Sequence, residues 1–166
     1  MYISAFNFIL SFASALVLHE LGHFVAARLC RVSVSQAGFG WGPKLFGFRF
    51  KNVDYQLRAF PVGAYIRMDM SALQRRPLLQ QLFVLLAGVA VNFILCIIAW
   101  GTFFGVLNLV LAVGNLFPLY QQDGWKSGMV ICRRVFSRPS PLVEWSFTLA
   151  AGMLGLIFVA RSFFNC

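Results

Sequence analysis

Acidic side chains are scarce in this sequence: 5 Asp and Glu in 166 residues, against 14 Lys and Arg, with charge of either sign on only 11% of positions. A soluble domain carries roughly 25% charged residues. The shortage excludes a water-facing globule of this size, a disordered tail, a nucleic-acid module that happens to be basic, and an ordinary cytosolic enzyme. Histidine is scarcer still, with two in the whole chain. The cysteines (Cys30, Cys96, Cys132 and Cys166) lack metal-type spacing and are expected as unpaired thiols at or in a bilayer. Internal repeats and low-complexity linkers are also missing. What is present is apolar: 60% hydrophobic residues and a mean hydropathy of +0.77. The balance predicts an integral membrane protein built as a single domain over residues 1–166.

Long uncharged runs place the spans. Residues 1–18 carry no charge, and the run continues through a polar cluster to Arg28, giving a first span near 3–28. No basic segment precedes it, which argues against a secretory signal. Residues 77–122 hold no Asp, Glu, Lys or Arg. One span needs about 20 residues, so this stretch reads as two helices, near 79–100 and 104–122, with Gly101 and Gly105 flanking the turn. A fourth span is expected near 145–163, with Arg161 snorkelling at its end. Thirteen of the 14 basic residues then fall in 28–76 or 124–144, on one side of a four-span arrangement. That side is expected to be cytoplasmic, facing anionic lipid, and the positive charge needs no nucleic-acid partner.

Within 32–68 the pattern changes period. Phe46, Phe48 and Phe50 alternate with Gly47, Arg49 and Lys51, and Val53, Tyr55 and Leu57 alternate with Asp54, Gln56 and Arg58. Alternation on both sides of Lys51-Asn52 predicts a β-hairpin. Its aromatic face should dip into the membrane interface or line a cavity walled by helices. Gly38, Gly40 and Gly42 read as a turn. The predicted fold is thus an α-helical integral membrane protein of about four transmembrane helices, with a membrane-associated β-hairpin between the first and second.

His19 and His23 are spaced i, i+4, so on a helix both imidazoles leave the same face, and Glu20 follows the first. In His-Glu-x-x-His the histidines bind zinc and the carboxylate acts as general base. The alternative is a polar patch joining helices by hydrogen bonds. A catalytic zinc takes three protein ligands and leaves one position open. The remaining acids are Asp54 and Asp69 in the loop segment, Glu144 at a span boundary, and Asp123 after the third span. Depth favours Asp123. Counting about 1.5 Å per residue puts His19 about 26 Å along the first span and Asp123 about 28 Å along the third, which runs the same way.

These residues resemble the site-2 proteases, a family of intramembrane zinc metalloproteases. His19-Glu20-Leu21-Gly22-His23 is similar to the family's first motif. Asn115-Leu116-Phe117-Pro118 followed by Asp123-Gly124 is similar to its Asn-x-x-Pro-x-x-x-x-Asp-Gly motif. Gly40 to Phe46 resembles the entry to the family's membrane-associated hairpin. Pro61-Val62-Gly63-Ala64-Tyr65 resembles a Pro-x-Gly-Gly-Tyr element with Ala64 for the second Gly. Ala87-Gly88-Val89 with Asn92 resembles an Ala-Gly-Pro-x-x-Asn pattern with Val89 for Pro. The short gap between the second and third spans has no room for the PDZ domain many such proteins carry there.

The resemblance implies His19, His23 and Asp123 as ligands of one zinc ion, Glu20 as the acid/base, and Asn92 as a contact to substrate. The implied activity is hydrolysis of peptide bonds in or near transmembrane segments of other membrane proteins, either in regulated proteolysis or in processing of signal-peptide or precursor segments. The expected location is a multi-pass position in a bacterial inner membrane, with the site toward the cytoplasm and a regulatory membrane partner as a source of substrate filtering. The hairpin, with Tyr55 and Leu57 as candidate substrate contacts, is expected to offer an edge to an unwound substrate strand. The competing readings are a metal-binding transporter and a non-catalytic relative that binds membrane segments.

Overall fold

A computed structural model describes residues 4–117, 119, 121–135, 145, 146, 148–150, 152 and 153. The chain opens with helix α1 (Ala5–Leu29), followed by strands β1 (Val34–Phe50) and β2 (Val53–Met68), a short helix α2 (Met70–Gln74), and helices α3 (Leu78–Ile98), α4 (Phe103–Leu116) and α5 (Asp123–Val135).

Local chemistry sets these boundaries. Ser4 caps α1 by accepting from Asn7 N–H at 3.2 Å. Asp69 caps α2, its Oδ1 accepting from the Ser71 and Ala72 amides at 2.9 and 3.0 Å. Thr102 caps α4 by accepting from Gly105 N–H at 3.1 Å. The two strands are joined by Lys51 and Asn52, both in the left-handed region (φ 46° and 64°), as a two-residue hairpin loop matched to strand twist requires.

The helices α1 and α3 are long and apolar enough to cross a membrane, at 25 and 21 residues, and both leave wide apolar faces uncovered. Ile97 and Ile98 are 71% and 77% exposed, an arrangement suited to lipid. The buried core sits at one end of these helices. Ala26 and Ala27 of α1, Val34 and Val53 at the strand starts, Leu73 of α2, and Val84 and Leu85 of α3 close on one another there. The hairpin is thus fastened to the helices at its root.

The third helix departs from expectation. A span over 104–122 is predicted, but α4 ends at Leu116 after 14 residues. Phe117, just before Pro118, is extended (φ −60°, ψ 140°), because a following proline crowds the helical region of its neighbour. Pro118 itself lies outside the described residues. Asp123 therefore does not close the third helix; it opens α5. The segment read as a loop after 123 begins as an amphipathic helix packed on α3 and α4. The predicted fourth span lies largely outside the described residues, as do Glu144 and Arg161.

The hairpin also differs in detail. Gly38, Gly40 and Gly42 lie inside β1 rather than forming a turn, with breaks in pairing register around them. Gly40 and Gly42 adopt φ of 94° and 88°, a conformation open to glycine at little cost. The two antiparallel strands curl so that Gln36–Phe39 pair with Ala64–Arg67 on one side and with Asp54–Leu57 on the other, while Phe46–Arg49 pair with Asp54–Leu57. Tyr55 and Leu57 consequently have strand neighbours on both sides and lie on no open edge, which corrects the expected edge role of their backbone.

Candidate metal centre

Helix α1 carries His19 and His23 one turn apart, and both imidazoles are buried. Asp123 reaches them from the first residue of α5. Its Oδ2 lies 3.1 Å from His19 Nε2 and 3.0 Å from His23 Nε2, and the two Nε2 atoms are 3.2 Å apart. Ligands at 2.0–2.1 Å from a tetrahedral ion are separated by about 3.3 Å, so the triangle matches one face of such a site to within a few tenths of an ångström.

The protonation pattern points the same way. His23 Nδ1 lies 2.8 Å from the Val84 carbonyl oxygen. A carbonyl only accepts, so Nδ1 holds a proton, and in the neutral ring the lone-pair nitrogen is Nε2, which faces Asp123 and His19. His19 Nε2, His23 Nε2 and Asp123 Oδ2 thus converge in a buried space. Asp123 Oδ1 accepts from Lys126 Nζ at 3.2 Å, leaving Oδ2 as the inward-facing oxygen. His19 Nδ1 has no partner among the described residues. The donor set of two imidazoles and one carboxylate is one that zinc accepts.

Small residues make the approach of the elements close enough. A Cβ on Gly22 would stand 2.8 Å from the Ala87 carbonyl oxygen, so α1 and α3 nearly touch there. A Cβ on Gly88 would fall on His23 Nε2 and lie 2.7 Å from His19 Nε2. A Cβ on Gly124 would collide with the Leu116 carbonyl oxygen, so the Asp123-Gly124 pair tucks the start of α5 beneath the end of α4.

Glu20 points elsewhere. Its Oε2 accepts from the Ile66 amide of β2 at 3.1 Å. It also lines an apolar cavity of about 370 Å³ between α1 and the hairpin, together with Phe24, Phe48, Tyr55, Leu57 and Tyr65. Tyr55 and Leu57 therefore meet this cavity through their side chains. Asn92, one helical turn beyond Gly88 on α3, is 1% exposed, and neither side-chain polar atom has a partner among the described residues.

The sequence model of peptidase family M50 matches residues 7–105, more than half of the chain. The chain belongs to peptidase family M50. The match takes in His19, Glu20, His23 and Asn92 but stops before Asp123, which is joined to the M50 segment here by geometry. A Clostridium acetobutylicum protein whose name places it with the zinc metalloproteases is 38% identical over 95 residues, covering 52% of this chain and 28% of that protein. The membrane metalloprotease ARASP of the Arabidopsis thaliana chloroplast is 37% identical over 116 residues, covering 62% of this chain and 25% of that protein. The chain thus spans only about a quarter of the length of these M50 relatives.

Several parts of the centre are not evident from motif spacing: the Val84 carbonyl, the Ile66 amide and Lys126. Lys126 lies three residues after Asp123, a helical neighbour once 123–135 is read as a helix. The two backbone groups leave no signal in side-chain sequence.

Proposed function

We propose that this M50 chain is the metal-binding portion of an intramembrane zinc endopeptidase, which hydrolyses peptide bonds in or near transmembrane segments of other membrane proteins. The supporting observation is the convergence of His19, His23 and Asp123 at 3.0–3.2 Å on the helix that also carries Glu20 to the wall of an apolar cavity. Zinc held by these three side chains would supply Lewis acidity toward a peptide carbonyl and a water molecule. Glu20 takes a proton from that water at a carboxylate oxygen and returns it to the leaving amine. Asn92 offers a buried amide without a partner among the described residues, suited to holding a backbone group of the substrate.

A transmembrane substrate must unwind before its backbone is open to attack. The hairpin edge nearest this chemistry is Ala64–Met68, whose Ile66 N–H faces Glu20 instead of β1. A substrate strand added along this edge takes the Ile66 donor and releases Glu20 for proton transfer. Meanwhile the cavity receives an apolar substrate side chain. The basic residues gather in 28–76 and 124–144, the segments that follow His23 and Asp123 in the chain, which supports a cytoplasmic-side position in a multi-pass membrane protein.

Glu20→Gln keeps an amide oxygen for the Ile66 N–H and removes the proton carrier. Membrane proteomes of cells producing either form should differ by a precursor that accumulates only with the variant, while both purified proteins bind one zinc. Identical proteomes despite equal zinc loading would remove the peptidase reading. Zinc uptake into vesicles without proteolysis would favour a transporter instead.

A further inference from the structure

Tyr65 belongs to a set of side-chain bonds on the hairpin that the metal centre does not explain. In the pairing register Gly38 lies between Tyr65 on one side and Gln56 on the other. A Cβ on Gly38 would stand 2.5 Å from the Tyr65 ring. The bare glycine therefore leaves the space in which Tyr65 crosses the intervening strand, and its hydroxyl donates to Gln56 Oε1 at 3.0 Å. Arg58 closes the group. Its Nε donates to the Tyr65 hydroxyl and its Nη2 to Gln56 Oε1, both at 3.2 Å. Its Nη1 donates to the Gly42 carbonyl oxygen of β1 at 3.1 Å. Gln56 Nε2 donates in turn to Asp54 Oδ2, so both ends of the Gln56 amide are matched.

This clasp grips the strand segment that carries the Ile66 amide. Among the described residues Ala64–Met68 pairs with β1 on one side only. Its far end is fastened by the Ser35 hydroxyl, which donates to the Arg67 carbonyl oxygen at 3.0 Å. Its near end follows Gly63 (φ 94°), at a break in register. Register matters here because amides along an edge strand alternate between the paired side and the open side. A slip of one residue would turn the Ile66 N–H away from Glu20 and move every side chain to the other face. Tyr65 sits beside Ile66 and is tied to Gln56 and Arg58 across β1, independently of main-chain pairing.

We propose that Tyr65 is a positioning residue for strand docking: its bonds to Gln56 and Arg58 hold Ala64–Met68 in register, so that the Ile66 N–H stays aimed at Glu20 and an incoming extended peptide. The identity of that peptide as a substrate strand rests on the peptidase reading above. The hydroxyl takes part in two hydrogen bonds, whose joint loss is worth about tenfold in docking affinity.

The test uses the full zinc-loaded chain in uncharged detergent and two probes. One is an extended apolar peptide ending in a hydroxamate, which grips zinc and offers a strand; the other is acetohydroxamate, which grips zinc alone. Tyr65→Phe keeps the ring and removes only the hydroxyl. It should weaken the peptide about tenfold and leave acetohydroxamate unchanged. Gln56→Met, which removes the shared acceptor, should do the same. In the free protein both variants should speed hydrogen exchange at the Ile66 amide, while circular dichroism verifies the fold. Unchanged peptide affinity and unchanged Ile66 exchange in a folded variant would overturn the proposal. Equal weakening of both probes would also overturn it, since that result marks a general structural role. If the unmodified chain takes neither hydroxamate, the peptidase reading falls instead, and Ile66 exchange still decides whether the clasp sets the edge.

Discussion

Gly88→Ala isolates the contact between α3 and the metal centre. Two effects oppose each other. Alanine in a helix interior is favoured over glycine by about 0.5–1 kcal/mol. Against this, the new methyl group would lie 2.7 Å from His19 Nε2 and fall on His23 Nε2. Ordinary contact between a carbon and its neighbour needs about 3.5 Å, so both imidazoles, or the helix itself, must retreat by about 0.8 Å or more. Overpacking of this kind costs about 1–3 kcal/mol, which exceeds the helical gain. Chemically the retreat matters more, because metal sites tolerate displacements of only about 0.2 Å, and a misplacement of about 1 Å can lower turnover about 100-fold.

The control is Gly114→Ala on α4, where a Cβ meets nothing within 4 Å. That variant should be neutral to slightly stabilised, with full zinc content. Gly88→Ala should remain folded yet lose most of its zinc and at least about 100-fold in cleavage rate, measured by elemental analysis of purified protein and a transmembrane reporter. Full zinc and unchanged cleavage in Gly88→Ala would refute the claim that α3 closes directly over the two histidines.

Two further outcomes follow from neighbouring contacts. Lys126→Gln removes the partner of Asp123 Oδ1 and should weaken zinc retention about 10- to 100-fold, as loss of an outer hydrogen bond to a ligand typically does; competition with a chelator measures it. The Ser71 hydroxyl, donating to Asp69 at 2.7 Å, and the Ala72 amide hold the Asp69 carboxyl below its ordinary value of 3.8. A depressed carboxyl stabilises the fold above that ordinary value and loses the effect as pH falls through the lowered one. Acid unfolding of Asp69→Asn followed by circular dichroism should therefore show a shallower loss of stability in that window.

The parts of the molecule that announce themselves in sequence are those governed by local periodicity. His19 and His23 share a face by helical spacing, α1 and α3 follow from long uncharged runs, and alternation about Lys51-Asn52 marks the strand reversal. Span counting fails at 117–135 because it weighs apolarity alone. It extends the third helix past the proline-imposed stop at Phe117 and treats an amphipathic helix as a loop. The central position of Gln36–Phe39 in the curled hairpin depends on pairing between distant residues, which alternation cannot specify. The choice of Asp123 from depth relied on a third helix longer than the one observed. The residue meets the histidines because the chain stops, turns and starts α5 beneath α4.

The oxygen that orients His23 belongs to the main chain of Val84. Every amino acid at position 84 would present the same atom, so the tautomer of this imidazole is shielded from point mutation in a way that a carboxylate or amide neighbour could never be. Sequence drift at Val84 can alter how tightly the surrounding core fills its space, but it leaves untouched the instruction that tells His23 which nitrogen to keep bare.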